Sequence, residues 1–115
     1  MRNIPVVLAG WRLRVTEDPE LKTYEKDGVQ EVATDQDGTS LFVVSLFAKP
    51  LPVEGRKAGK GEEIRVTLMM DPGSIGEGDL VELIDATVSP YSFKNDKGET
   101  VSGISFRAVG LKPLG

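Results

Sequence analysis

Side chains two residues apart on a strand point the same way, so arginines at alternate positions can gather charge on one face. Arg12 and Arg14 have that spacing in "GWRLRV", while Arg65 and Arg107 stand singly within "EIRVTLMM" and "GISFRAV". A charge costs too much to bury unpaired, so Arg107, between Phe106 and Ala108, must be salt-bridged or face a polar partner. With Lys94 and the loop cations Arg56, Lys57 and Lys60, these residues have the chemistry to track a phosphate backbone. Ordinary solvent-facing arginines paired with nearby acids fit the same pattern.

The aromatic residues divide by context. Phe42, Phe47 and Phe106 lie in apolar strand runs and are expected in the core. Tyr91 and Phe93 alternate in a polar, turn-bound stretch and are followed by Lys94. An exposed pair beside a cation suits base stacking or a dimer contact better than a core. Tyr24, inside an acidic stretch, is open to either reading.

Other chemistry finds little support. The chain has no cysteine and no histidine, which removes disulfides, thiolate nucleophiles and the usual base near neutral pH. Asp35 and Asp37 before Gly38 resemble the start of a calcium loop, and "NDKGE" echoes them weakly. The later glutamate and flanking helices are missing, so turn chemistry is the cheaper account. "DPGSIGEGD" lacks the lysine and the hydroxyl residue directly after it that end a phosphate-binding loop, and its three acids would repel an anion. No carboxylate pair falls in a recognised motif. The reading is of a non-enzyme without metal or cofactor.

At 115 residues the chain fits one domain, 1–115, long enough for a core of its own. Fourteen basic and 18 acidic residues give a net charge of −4. Eight of the acids crowd into 17–37 with only Lys22 and Lys26, leaving 12 basic and 10 acidic residues elsewhere (14 less 2, 18 less 8). The acidity is therefore local, and a groove elsewhere can still be basic. The N-terminal apolar run is too short for a membrane span and is a poor signal peptide, so a soluble cytoplasmic protein is expected.

The elements that must position these residues are strands, separated by glycine and proline turns. A first run covers 4–16, with Gly10 a candidate bulge, and "VQEVAT" offers a short strand within the polar excursion 17–37. "SLFVVSLFA" is apolar on both faces, as a central strand would be. Residues 63–70 alternate: Ile64, Val66, Leu68 and Met70 on one face, Arg65, Thr67 and Met69 on the other. "LVELIDATV", a hairpin arm turning at "NDKG" and a last strand over 101–112 complete the chain. The expected class is all-β: a small antiparallel five-stranded OB-like barrel with a long hairpin arm between its last two strands. A β-sandwich is the alternative.

From residue 64 onward, "IRVTLMMDPG", "GDLVELIDATV", "SFKNDKG" and "GISFRAVGLKP" follow in order. This half of the chain resembles the helix-destabilising, single-stranded-DNA-binding proteins of filamentous phages, with similar small proteins of actinobacterial phages and conjugative elements. The arm match is Ser92, Phe93 and Lys94, and the final strand ends at Lys112 and Pro113. The resemblance implies an OB-fold homodimer joined partly through the arm. It also implies cooperative binding of single-stranded DNA in replication or transfer of a mobile element. It would put Phe93 on the DNA-binding arm and turn Arg107 into the groove, with Phe106 packing inward. The acidic 17–37 stretch supports a second reading: a protein-interaction or regulatory module that kept the barrel without nucleic-acid binding.

Overall fold

Alternation in "EIRVTL" is realised as a strand, Glu62–Leu68, whose Val66 and Leu68 are fully buried while Arg65 is exposed. The computed structural model describes residues 2–52, 54–55 and 59–114; Arg56 and Lys57 of the basic loop lie outside the described residues. In chain order the strands are β1 (Ile4–Pro5), β2 (Trp11–Leu21), β3 (Thr23–Lys26), β4 (Val29–Val32) and β5 (Phe42–Pro50). There follow β6 (Glu62–Leu68), β7 (Leu80–Ile84), β8 (Thr87–Lys94), β9 (Thr100–Ala108) and β10 (Gly110–Pro113). The described residues contain no helix.

The five-stranded antiparallel expectation needs correction. Eight strands form one mixed sheet in the order β1-β8-β9-β6-β5-β2-β7-β10, and β3 and β4 pair separately. β6 and β9 run parallel, through Val66↔Phe106, Thr67↔Arg107 and Leu68↔Ala108. The count rises because two long strands are bent and because the short β1 adds to β8. β7 passes into β8 at Asp85, a non-glycine residue at φ +50°, and β9 passes into β10 at Val109, whose N–H donates to the Ile84 carbonyl at 2.8 Å. The parallel pair arises because no hairpin follows β6: the chain crosses to β2 as β7, then returns as β8 and β9. Since β7 pairs with β2 and runs on into β8, the sheet closes upon itself, consistent with an OB-like fold.

Two other expectations change. The first run is not continuous: only Ile4–Pro5 pairs near the N-terminus, and Gly10 lies in a turn before β2 rather than in a bulge. β2 extends to Leu21, with register shifts after Val15 and after Glu17. "SLFVVSLFA" does become the central strand, β5, between β2 and β6.

Core side chains come from the inward positions of β2, β5, β6 and β7: Leu13, Val15, Val44, Leu46, Val66, Leu68 and Val81. Phe42 and Phe106 pack against them, as expected. Ile75 plugs the core from the glycine-rich connection. The acids of that region serve turns: Asp71 accepts from the Gly73 N–H, Asp79 from Gly76, and Asp18 from Glu77 at 2.7 Å. In "DQDG", Asp35 accepts from the N–H groups of Asp37 and Thr39, the turn chemistry anticipated.

Two hairpins leave the barrel. The arm β8–β9 is paired from Thr87↔Arg107 to Lys94↔Thr100, and Asn95 at its tip accepts from Lys97 and Glu99. Only its base, Phe106–Ala108, pairs with β6. The second hairpin, β3–β4, turns on Asp27 and Gly28 at φ +52° and +80°, the left-handed pair that a tight two-residue turn demands. Its strand residues are all exposed. Tyr24 donates to Glu31 across it at 2.9 Å, and that bond holds the phenol pKa above its usual value. The projections stretch the molecule to 53 × 38 × 24 Å, with a radius of gyration of 15.7 Å. A compact chain of this length would have about 13 Å.

Candidate nucleic-acid interface

Strand register arranges the outward side chains of β2, β5, β6, β9 and β8 in rows across the sheet. One row runs Glu20, Val43, Thr67, Arg107, Thr87. The next holds Glu17, Ser45 and Arg65; beyond it lie Arg14, Phe47 and Glu63, then Arg12 and Lys49. Arg107 thus stands on the wet face beside Thr67, while Phe106 packs inward.

Thr67 is buried at 7% exposure, the one buried polar side chain among the described residues. Its hydroxyl accepts from the Lys22 ammonium at 2.9 Å. Lys22 reaches it from the residue that links β2 to the acidic hairpin, anchored where its N–H donates to Leu41 and its carbonyl accepts from Ala33. Burial, then the charges of Arg107 and Arg65, lower the Lys22 pKa below the ordinary lysine value. Each cause disfavours the charged form, so three cations have been brought together at a cost.

A cleft of about 410 Å³ opens there, lined by Glu20, Lys22, Val43, Arg65, Thr67 and Tyr91 among others. Tyr91 and Phe93 stand on the same face of the arm as Arg107, two and three rows of residues along it. Their rings stack with centroids 6.1 Å apart and planes 22° from parallel, and Phe93 is 54% exposed. Tyr91 lies across Gly103: a Cβ there would meet its hydroxyl oxygen at 2.5 Å. The glycine is what lets the ring lie flat on the strand.

Of the expected residues, the fold brings Arg65, Arg107, Tyr91 and Phe93 to one face of one region. The others are dispersed. Arg14 shares the face but donates from Nη1 to the Gly78 carbonyl at 2.8 Å, tying down the glycine-rich connection. Arg12 stands at the far end, beside Lys49. Lys60 is exposed in the β5–β6 loop at that same end, and Lys94 falls on the opposite face of the arm from Phe93. Phe47, expected in the core, is 41% exposed on the outer face, over Gly61. Its inward neighbours Leu46 and Ala48 fill the core instead.

Lys22 and Thr67 were not legible as site residues. Lys22 is one of two cations in an acidic stretch, and nothing local shows that it returns over β6. Thr67 alternates with Arg65, which is a signal for the shared face but not for the contact.

A second, acidic pocket of about 290 Å³ adjoins the first, lined by Glu17, Asp18, Glu20, Glu63 and Arg65. It interrupts the positive face between Arg65 and the distant Arg12. No group of acidic side chains among the described residues could hold a metal ion.

No family model and no curated protein matches the sequence. Among solved structures, the chain is similar to a mitochondrial single-stranded DNA-binding protein from S. cerevisiae, Rim1. That match has 14% identity and a TM-score of 0.50, and covers 87% of this chain and 95% of the other. At that identity the likeness is one of fold.

Proposed function

We propose that this protein binds single-stranded DNA without catalysis, on the outer face of β5, β6 and β9 and along the β8–β9 arm. The observation that carries the reading is the Lys22–Thr67 contact flanked on the same face by Arg65 and Arg107, beside the stacked Tyr91 and Phe93. Grouped cations suit phosphates, and an exposed aromatic surface suits unpaired bases. The fold shared with a protein named for single-stranded DNA binding supports this choice over catalysis. The finer reading is a cytoplasmic homodimer serving replication or transfer of a phage or mobile element, and it is supported by the Ser92-Phe93-Lys94 arm. The exposed acidic hairpin favours the second reading, a module that docks a basic protein.

Fluorescence anisotropy with labelled oligo-dT, at about 50 and 200 mM salt, separates the two. Binding should weaken with salt, with a slope of about −0.7 per phosphate contact on a log–log plot. Replacing both Arg65 and Arg107 by alanine should flatten that slope by about 1.4 and weaken binding at least about tenfold. Unchanged affinity in the double variant would remove the site; absence of binding at low salt would leave only the protein-docking reading.

A further inference from the structure

A single-strand backbone tracking the whole face would need a continuous run of cations, and this face does not provide one. Moving from the Lys22–Thr67 contact towards Arg12, the backbone would pass the row of Glu17, Ser45 and Arg65, then the row containing Glu63. Glu17, Asp18 and Glu63 line the pocket next to Arg65 on that side. Phosphodiesters are repelled there. On the other side the way is open, over Tyr91 and Phe93 along the arm.

The charge around Thr67 also suits a particular anion. Three cations, Lys22, Arg65 and Arg107, stand around Thr67 with one carboxylate in its own row, Glu20, while Glu17 and Glu63 lie beyond it on the Arg65 side. A phosphodiester brings one negative charge to these cations. A phosphate monoester carries nearly two at neutral pH, its second pKa being about 6. The three cations also supply the several donors that a terminal phosphate, with its three free oxygens, can accept from.

Resting on the single-strand reading, we infer that the Lys22–Arg65–Arg107 cluster holds the terminal phosphate monoester of a DNA strand, which runs out from there across Tyr91 and Phe93. The acidic pocket then acts as a stop, and the protein is a reader of strand ends. Internal stretches bind at the same aromatic surface, but more weakly.

The test compares oligo-dT of about eight nucleotides, within the roughly 4–16 bound by one such fold, carrying a 5′-phosphate, a 3′-phosphate or neither. An end phosphate at one terminus should tighten binding about tenfold over the unphosphorylated strand, the effect of one additional charge-assisted contact. Lys22→Gln should weaken the end-phosphorylated strand about tenfold more than the unphosphorylated one, so that the preference disappears whatever the loss common to both. Thymidine 5′-monophosphate as competitor separates a strand end from a free nucleotide: it should compete poorly, lacking the bases that stack on the arm. Equal affinity for all three strands, or a preference that survives Lys22→Gln, would overturn the inference while leaving single-strand binding intact. If none of the strands binds, the function proposed above fails together with it. Circular dichroism on Lys22→Gln checks that the variant is folded.

Discussion

Lys22 is held against Thr67 at the expense of stability. Its pKa is lowered in the fold, so the native state binds that proton less tightly than the unfolded chain does. Stability therefore rises with pH from the lowered pKa up to the ordinary lysine value of 10.5, and below that window the charge is a standing cost. Removing Lys22 alone does not recover the cost, because the buried Thr67 hydroxyl would lose its partner. Lys22→Met should thus melt no higher than the parent, whereas Lys22→Met with Thr67→Val, apolar groups of similar shape, should melt higher at pH 7. Thermal unfolding followed by circular dichroism decides it. A double variant less stable than the single one would mean that the pair is a structural tie.

At the scale of the element, β5 displays the period of two most sharply. Leu46 has no exposed surface, while Phe47 beside it is 41% exposed and faces the outer rows. Leu46→Ala should cost about 2–5 kcal/mol, since a central strand between β2 and β6 cannot collapse into the cavity. Phe47→Ala should cost roughly 1 kcal/mol, chiefly the lost cover over Gly61. Urea unfolding measures both, and equal losses would contradict the assignment of faces. For Arg107 only the family resemblance implied the outer face, whereas the same alternation places Arg65 and Thr67 outward and was legible from residues alone. It also misled: "SLFVVSLFA" is apolar at nearly every position, so nothing within it marks Phe47 as the side chain that turns to solvent. The long arm was readable because "NDKG" is a turn signal between two alternating runs. The bend at Asp85 was not, since strand-forming residues run on either side of it, and Gly110 beside Val109 was read only as part of a continuous last strand.

For the molecule as a whole, charge is separated in space as well as in sequence. The β3–β4 hairpin carries Glu25, Asp27 and Glu31 away from the sheet face, yet its base lies at Lys22, on the edge of the cleft. A negative projection at the rim repels an approaching strand over roughly a Debye length, about 10 Å at 0.1 M salt. Glu25→Gln, Asp27→Asn and Glu31→Gln together should raise affinity for oligo-dT on the order of threefold at about 50 mM salt, with the gain fading as salt is raised. Asparagine tolerates the left-handed backbone at position 27, so the turn should survive. A loss of affinity, measured by anisotropy, would show instead that the hairpin contacts the strand.

Composition and local pattern were enough to determine that this chain builds strands, where its main turns fall, that Arg65 and Thr67 share a face, and that its acids crowd into one excursion. Those properties depend on neighbours one to four residues away, and a sequence displays them directly. Which cations meet was decided only in three dimensions. Lys22 joins Arg65 and Arg107 because β2 extends past two register shifts to Leu21 and the chain returns to β5 at Leu41. Arg107 lies beside Thr67 because β9 adds to β6 in parallel after the chain has crossed the barrel as β7 and β8. Such neighbours are separated by about 40 residues or more along the chain, and closure of the sheet, which no local period encodes, brings them together.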